Sequence, residues 1–173
     1  GWRERVVTSA RRASAKTPPS TEVKLHETPL IVRVEPMACG SLESSSPCNV
    51  DVHVSNRSKE HFDLRLTRHG APGRHFSFDV TRVVFSDGTV HRAKRVAAPD
   101  GPRTNYRGGA MVVPAGGSLL LRYEFLRGTG RTDLERLPYQ VRPVDAGADP
   151  IVFELRYGEG SRHKVVSFSL ESP

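Results

Sequence analysis

The sequence is short of most features that would assign a chemistry. No apolar run approaches the ~20 residues that a membrane-spanning helix requires, so no such span is expected. The seven histidines are dispersed: there is no His-Glu-x-x-His, no pair four residues apart, and no Cys or Met at cupredoxin-like spacing. A Gly-x-Ser-x-Gly nucleophile elbow, a P-loop and a Rossmann glycine pattern are also missing. No catalytic residue, cofactor-binding residue or metal ligand is therefore assigned, and the expectation is a non-enzymatic chain without a cofactor. There is no helix-period apolar segment and no internal repeat. Gly1 to Arg5 has basic residues with no apolar stretch behind them, so no secretory signal is visible, although one removed beforehand stays open.

What is present reads as strands. The 173 residues suffice for one domain plus a tail, and 36% hydrophobic and 26% charged residues are ordinary for a soluble protein. Met111 to Phe125 is the clearest stretch: Met-Val-Val, a Pro114-Ala-Gly-Gly-Ser118 turn, then Leu-Leu-Leu-Arg-Tyr-Glu-Phe. It predicts a β-hairpin. Leu119, Leu121, Tyr123 and Phe125 share one parity, and Ile151, Phe153, Leu155 and Tyr157 repeat the pattern, so both runs are expected on the inner face of a two-layer structure. Similar alternation at Leu30–Val34, Val50–Val54, Phe62–Leu66, Phe76–Phe78 and Lys164–Leu170 brings the total to about eight or nine strands. The predicted fold is all-β, a two-layer antiparallel β-sandwich, immunoglobulin-like with a jelly roll as the alternative. Residues 1–21 read as a flexible basic tail and Pro-rich linker, and 22–173 as a single sandwich domain.

Irregularities in the pattern carry further expectations. Phe76 and Phe78 fall on one parity but Val83 and Phe85 on the other, which requires a bulge or break near Thr81. Asp87-Gly88 predicts a hairpin tip, and Gly158-Glu-Gly160 another. Thr132-Asp-Leu-Glu135 has the form of a capping box and fits one helical turn. Cys39 and Cys48 flank a loop joining two adjacent strands, whose ends approach closely enough for a disulfide; two free thiols are the alternative. Asn56-Arg-Ser58 matches a glycosylation acceptor, but three-residue matches occur by chance and Asn56 reads first as a turn former. Asp51 with His53, and His61 with Asp63, share strand faces and could act as ligands or acid–base groups, although each lies on the face assigned to solvent, where alternation alone places polar residues.

Charge points to binding. The net charge is +7, and the tail carries five basic residues against the single Glu4 within its first sixteen. Between Arg92 and Gly109 the alternation dissolves into a long basic stretch, and Arg103, Tyr106 and Arg107 in it are the candidate partner contacts. Expected partners are another protein or a larger assembly with an acidic surface, with nucleic acid at the N-terminal tail as a further option.

Val50-Asp-Val-His-Val-Ser-Asn56, Asp87-Gly88, Val113-Pro-Ala-Gly-Gly-Ser118 leading into Tyr123-Glu-Phe125, and Phe153-Glu-Leu-Arg-Tyr157 together resemble the telokin-like immunoglobulin-like domains of bacterial secreted proteins and lipoproteins. The resemblance implies an extracytoplasmic, non-catalytic interaction domain with no catalytic residues. A secreted location is favoured if Cys39 and Cys48 are bonded. The competing expectation is a jelly-roll coat or shell subunit whose basic arm faces nucleic acid.

Overall fold

The computed structural model describes residues 21–39, 48–66, 75–79, 81–86, 88, 90–99, 110–125, 149–160 and 162–171. Residues 1–20 of the basic tail, the Thr132–Glu135 turn and the Arg103–Arg107 segment lie outside the described residues. Those that are described form an all-β sandwich of twelve strands and contain no helix. One layer is an antiparallel sheet in the order β1 (Glu22–Lys24), β2 (Leu30–Val34), β3 (Cys48–Asn56), β10 (Ser118–Phe125), β8 (Arg95–Ala97). The other runs β7 (Val90–Arg92), β6 (Arg82–Phe85), β11 (Pro150–Glu159), β5 (Phe76–Phe78), β4 (Phe62–Leu66), β9 (Ala110–Val113), with β12 (Arg162–Ser169) on β11. It is a mixed sheet, because β4 and β5 pair in parallel. Twelve strands are described where eight or nine are expected, because a three-residue element such as β8 shows almost no alternation to read. β8 lies inside the stretch expected to be irregular.

Alternation sets the inner faces. Along β3 every second residue from Cys48 to Asn56 is buried, and β10 pairs with it so that Leu121, Tyr123 and Phe125 face Val52, Val50 and Cys48. Across the gap, Tyr123 meets Phe153 of β11 edge-on, with ring centroids 5.4 Å apart. Phe153, Leu155 and Tyr157 are core residues as expected, whereas Ile151 is not. The register shifts between Pro150 and Val152, leaving Ile151 as the extra residue, packed instead on a small cluster of Val84 and Val152.

The bulge expected near Thr81 is present. Phe78 faces Tyr157 and Arg82 faces Glu154, so four steps along one strand match three along β11. That extra residue lets Phe78 on one side and Val83 and Phe85 on the other all enter the core. The hairpin of β6 and β7 is also as expected, with the Gly88 N–H donating to the Phe85 carbonyl at 2.8 Å.

The Met111–Phe125 stretch is not a hairpin. β9 pairs with β4 and β10 with β3, so the Pro114–Gly117 turn carries the chain from one layer to the other. The Gly117 N–H donates to the Pro114 carbonyl, and Gly116 takes φ +63°, where a side chain would be strained. Asn56, only 1% exposed, fixes this crossing. Its Nδ2 donates to the carbonyls of Val113 (3.0 Å) and Glu60 (2.8 Å), and its Oδ1 accepts from the Ser58 N–H and hydroxyl. The Asn56 backbone N–H donates to the Gly117 carbonyl. Of its two readings, the structural one is what this geometry uses: the amide is committed inside the fold.

Cys39 and Cys48 stand opposite one another beside the Ala38–Asn49 bridge, at disulfide distance, with Cα atoms 4.2 Å apart. Thr21, read in the sequence as the last residue of the tail, is bonded to the sheet: its carbonyl accepts from the Val34 N–H.

Candidate functional site

The outer face of the five-stranded sheet holds the first of the two pairs singled out in the sequence, and it separates them. Asp51 accepts from Arg122 Nε (2.8 Å) and Nη2 (3.0 Å), a bidentate bond between facing residues of β3 and β10. His53 turns the other way, with Nε2 3.1 Å from Glu35 Oε1, which also takes a bond from Arg33. The second pair, His61 and Asp63, is exposed, with its nearest atoms 4.0 Å apart. Among the described residues no group of three His, Cys, Asp or Glu could hold a metal ion.

The outer face of the seven-stranded sheet carries two buried carboxylates that the pattern did not reveal, Asp79 and Glu154. Asp79 Oδ2 lies 3.8 Å from Arg156 Nε and 4.0 Å from His163 Nε2. Glu154 faces Arg82 across the β6–β11 ladder. Burial pushes its carboxyl above the usual carboxylate value, and Arg82 opposes that rise. Arg82 is itself held below the usual arginine value, first by burial and then by repulsion from Arg92. An acid placed between Phe153 and Leu155 on the outward parity reads as solvated, so only the three-dimensional packing discloses it.

Ser77, Gly158 and His163 lie in one row across β5, β11 and β12, next to Asp79. A nucleophile and its base need hydrogen-bond contact, and none joins Ser77 to His163 among the described residues. The row can hold charge and pack strands; it presents no assembled nucleophile.

Arg103, Tyr106 and Arg107 belong to the segment that joins β8 of one sheet to β9 of the other, outside the described residues. A different surface stands out among those described. β12 is eight residues long, pairs only with β11, and leaves Val165 51% exposed. Alternation in Lys164–Leu170 gives Val166, Phe168 and Leu170 as inward residues, of which Phe168 and Leu170 are buried and Val166 is half-buried against the core, but no sequence signal marks the strand as an edge. No described helix is long and apolar enough to cross a membrane.

The sequence matches no known family model and no curated protein.

Proposed function

We propose that this chain is a non-catalytic interaction or structural module that binds another macromolecule, as an extracytoplasmic accessory subunit. The observation that carries this reading is the distribution of polar groups on the sandwich. Asp51, His53, Glu35 and Arg122 are engaged in cross-strand pairs, while β12 presents exposed backbone, Val165, Arg162 and Lys164 to solvent. An extracytoplasmic setting is supported by Cys39 and Cys48 at disulfide distance, because such bonds persist in oxidising compartments. The telokin-like, immunoglobulin-like assignment belongs to the same reading and rests on the residues that carry the resemblance. A partner with an acidic surface suits a chain of net charge +7, and Arg103, Tyr106 and Arg107 remain its proposed contacts outside the described strands.

Light scattering and fluorescence anisotropy test the reading together. The expected result is a small, non-assembling species that binds an acidic polypeptide such as poly-glutamate, more weakly as salt rises. The Arg103→Ala/Arg107→Ala double variant should bind less well with its fold intact. Self-assembly into shells on adding oligonucleotide would replace this reading with the coat-subunit one.

A further inference from the structure

Among the described residues, β12 pairs on one side alone, with β11. Leu170 donates its N–H to Ile151, and these two residues continue the β11–β12 register. In an antiparallel pair, residues alternate between bonding the neighbouring strand and pointing both N–H and C=O away from it. The same parity as Leu170 therefore serves β11, and His163, Val165 and Ser167 direct their backbone groups outward. The register runs without interruption from Val152–Ser169 to Glu159–Arg162, so no bulge twists the edge out of reach. The strand contains no proline to block it. Other edges among the described residues are less suited: β9 has four residues, and β1, β7 and β8 have three each.

Long edges of this kind pair with a further strand unless they are protected. We propose that β12 takes an extended acidic segment of a partner protein as an added strand, bound by the outward backbone groups of His163, Val165 and Ser167. Charge selects the occupant. The strand carries exposed Arg162 and Lys164 and no acid, while the His163 side chain is buried beside Asp79; from β11, exposed Arg156 faces Val165 and the one exposed acid, Glu159, faces Arg162. Two copies of this chain, each at +7, repel one another, whereas an extended segment alternating acidic and β-branched residues meets both the basic side chains and Val165. Backbone bonds supply affinity in strand addition, and the alternate side chains supply selectivity. The inference rests on the interaction reading above and gives it a surface and a class of partner.

The test uses the whole chain and a synthetic peptide that alternates glutamate with valine. Amide exchange followed by NMR should show protection appearing at His163, Val165 and Ser167 when the peptide is added. Val165→Pro removes one outward N–H and leaves the β11 ladder intact, so it should weaken binding about tenfold or more. A peptide N-methylated at alternate residues, on the edge that would face β12, should lose binding to the unaltered protein. It controls for any misfolding of the proline variant. If the peptide binds with no new protection in β12, or the N-methylated form binds equally well, the edge is the wrong site while the interaction reading survives. Protection that grows with protein concentration alone would overturn the acidic partner in favour of a second copy. Failure to bind this peptide, poly-glutamate or oligonucleotide would overturn both the edge and the interaction reading.

Discussion

Replacing Asn56 by Asp changes two donors into acceptors at the point where the chain crosses between layers. The side chain keeps its size and its Oδ1 bonds to Ser58, but the second oxygen now meets the carbonyls of Val113 and Glu60. The bond to the Val113 carbonyl is buried and its loss costs ~1–3 kcal/mol, whereas the Glu60 carbonyl is only partly buried and also lies 2.7 Å from the Ser58 hydroxyl, so the two losses together amount to about 2–3 kcal/mol at neutral pH. For a domain of this size that lowers the thermal midpoint by roughly 10 °C. The pH dependence has a definite sign. Burial against two carbonyl oxygens raises the new carboxyl above its unfolded value of about 3.9, so the charged form is the unfavourable one. The deficit relative to wild type should therefore be smallest below that unfolded value and deepen as pH rises through the raised folded value. Urea unfolding of both proteins, followed by far-UV circular dichroism at acid and neutral pH, measures it. A variant within ~1 kcal/mol of wild type at neutral pH, or a deficit that deepens on acidification, would refute the assigned role of Asn56.

Other consequences can be measured in the same way. Gly158 has φ +145°, and a Cβ there would lie 2.4 Å from the Arg162 carbonyl oxygen, so Gly158→Ala should destabilise by about 2 kcal/mol or more in urea titrations. Phe125→Ala and Phe153→Ala each remove a ring that is fully buried and should cost ~3–5 kcal/mol; surface-like values would mean the inner face is misassigned. Glu154→Gln should flatten the loss of stability that accompanies rising pH, because a carboxyl with a raised folded value stabilises only below its unfolded value and loses that contribution as pH climbs. Intact mass after alkylation without reductant should show no alkyl groups on Cys39 and Cys48; uptake of two would place the chain in a reducing compartment.

The layered architecture was legible because a strand with one buried face writes its orientation into every second residue. β3, β4 and the second half of β10 illustrate this, and even the bulge between Phe78 and Arg82 is visible as a change of parity. Pairing partners were not legible in the same way. Pro114-Ala-Gly-Gly has the composition of a hairpin turn, and nothing local distinguishes a turn between neighbours in one sheet from a turn between sheets. The difference lies in Asn56, more than fifty residues earlier, whose amide bonds Val113. Ile151 was misplaced for a related reason, since one inserted residue reverses which face an apolar side chain reaches. The polar face pairs were half legible. Asp51 and His53 do share a face, but their partners Arg122 and Glu35 arrive from other strands. Asp79 and Glu154 gave no signal, because an outward parity conveys nothing about what covers it. The sequence candidates Arg103, Tyr106 and Arg107 lie outside the described residues, and the edge geometry of β12 emerges only once the neighbours of β11 are known.

β11 bonds β5, β6 and β12, and all but β12 precede it in the chain. The five-stranded sheet, by contrast, uses only strands between Glu22 and Phe125. A nascent chain emerging from the ribosome can therefore close one layer while the other still lacks its central member. Until Pro150–Glu159 emerges, the backbone edges of β5 and β6 that bond β11 have no strand beside them, and the first layer has only part of its opposing surface. The interval between those two events is when a holding chaperone would have most to bind, and a released chain truncated just before Pro150 should be the species most prone to aggregate.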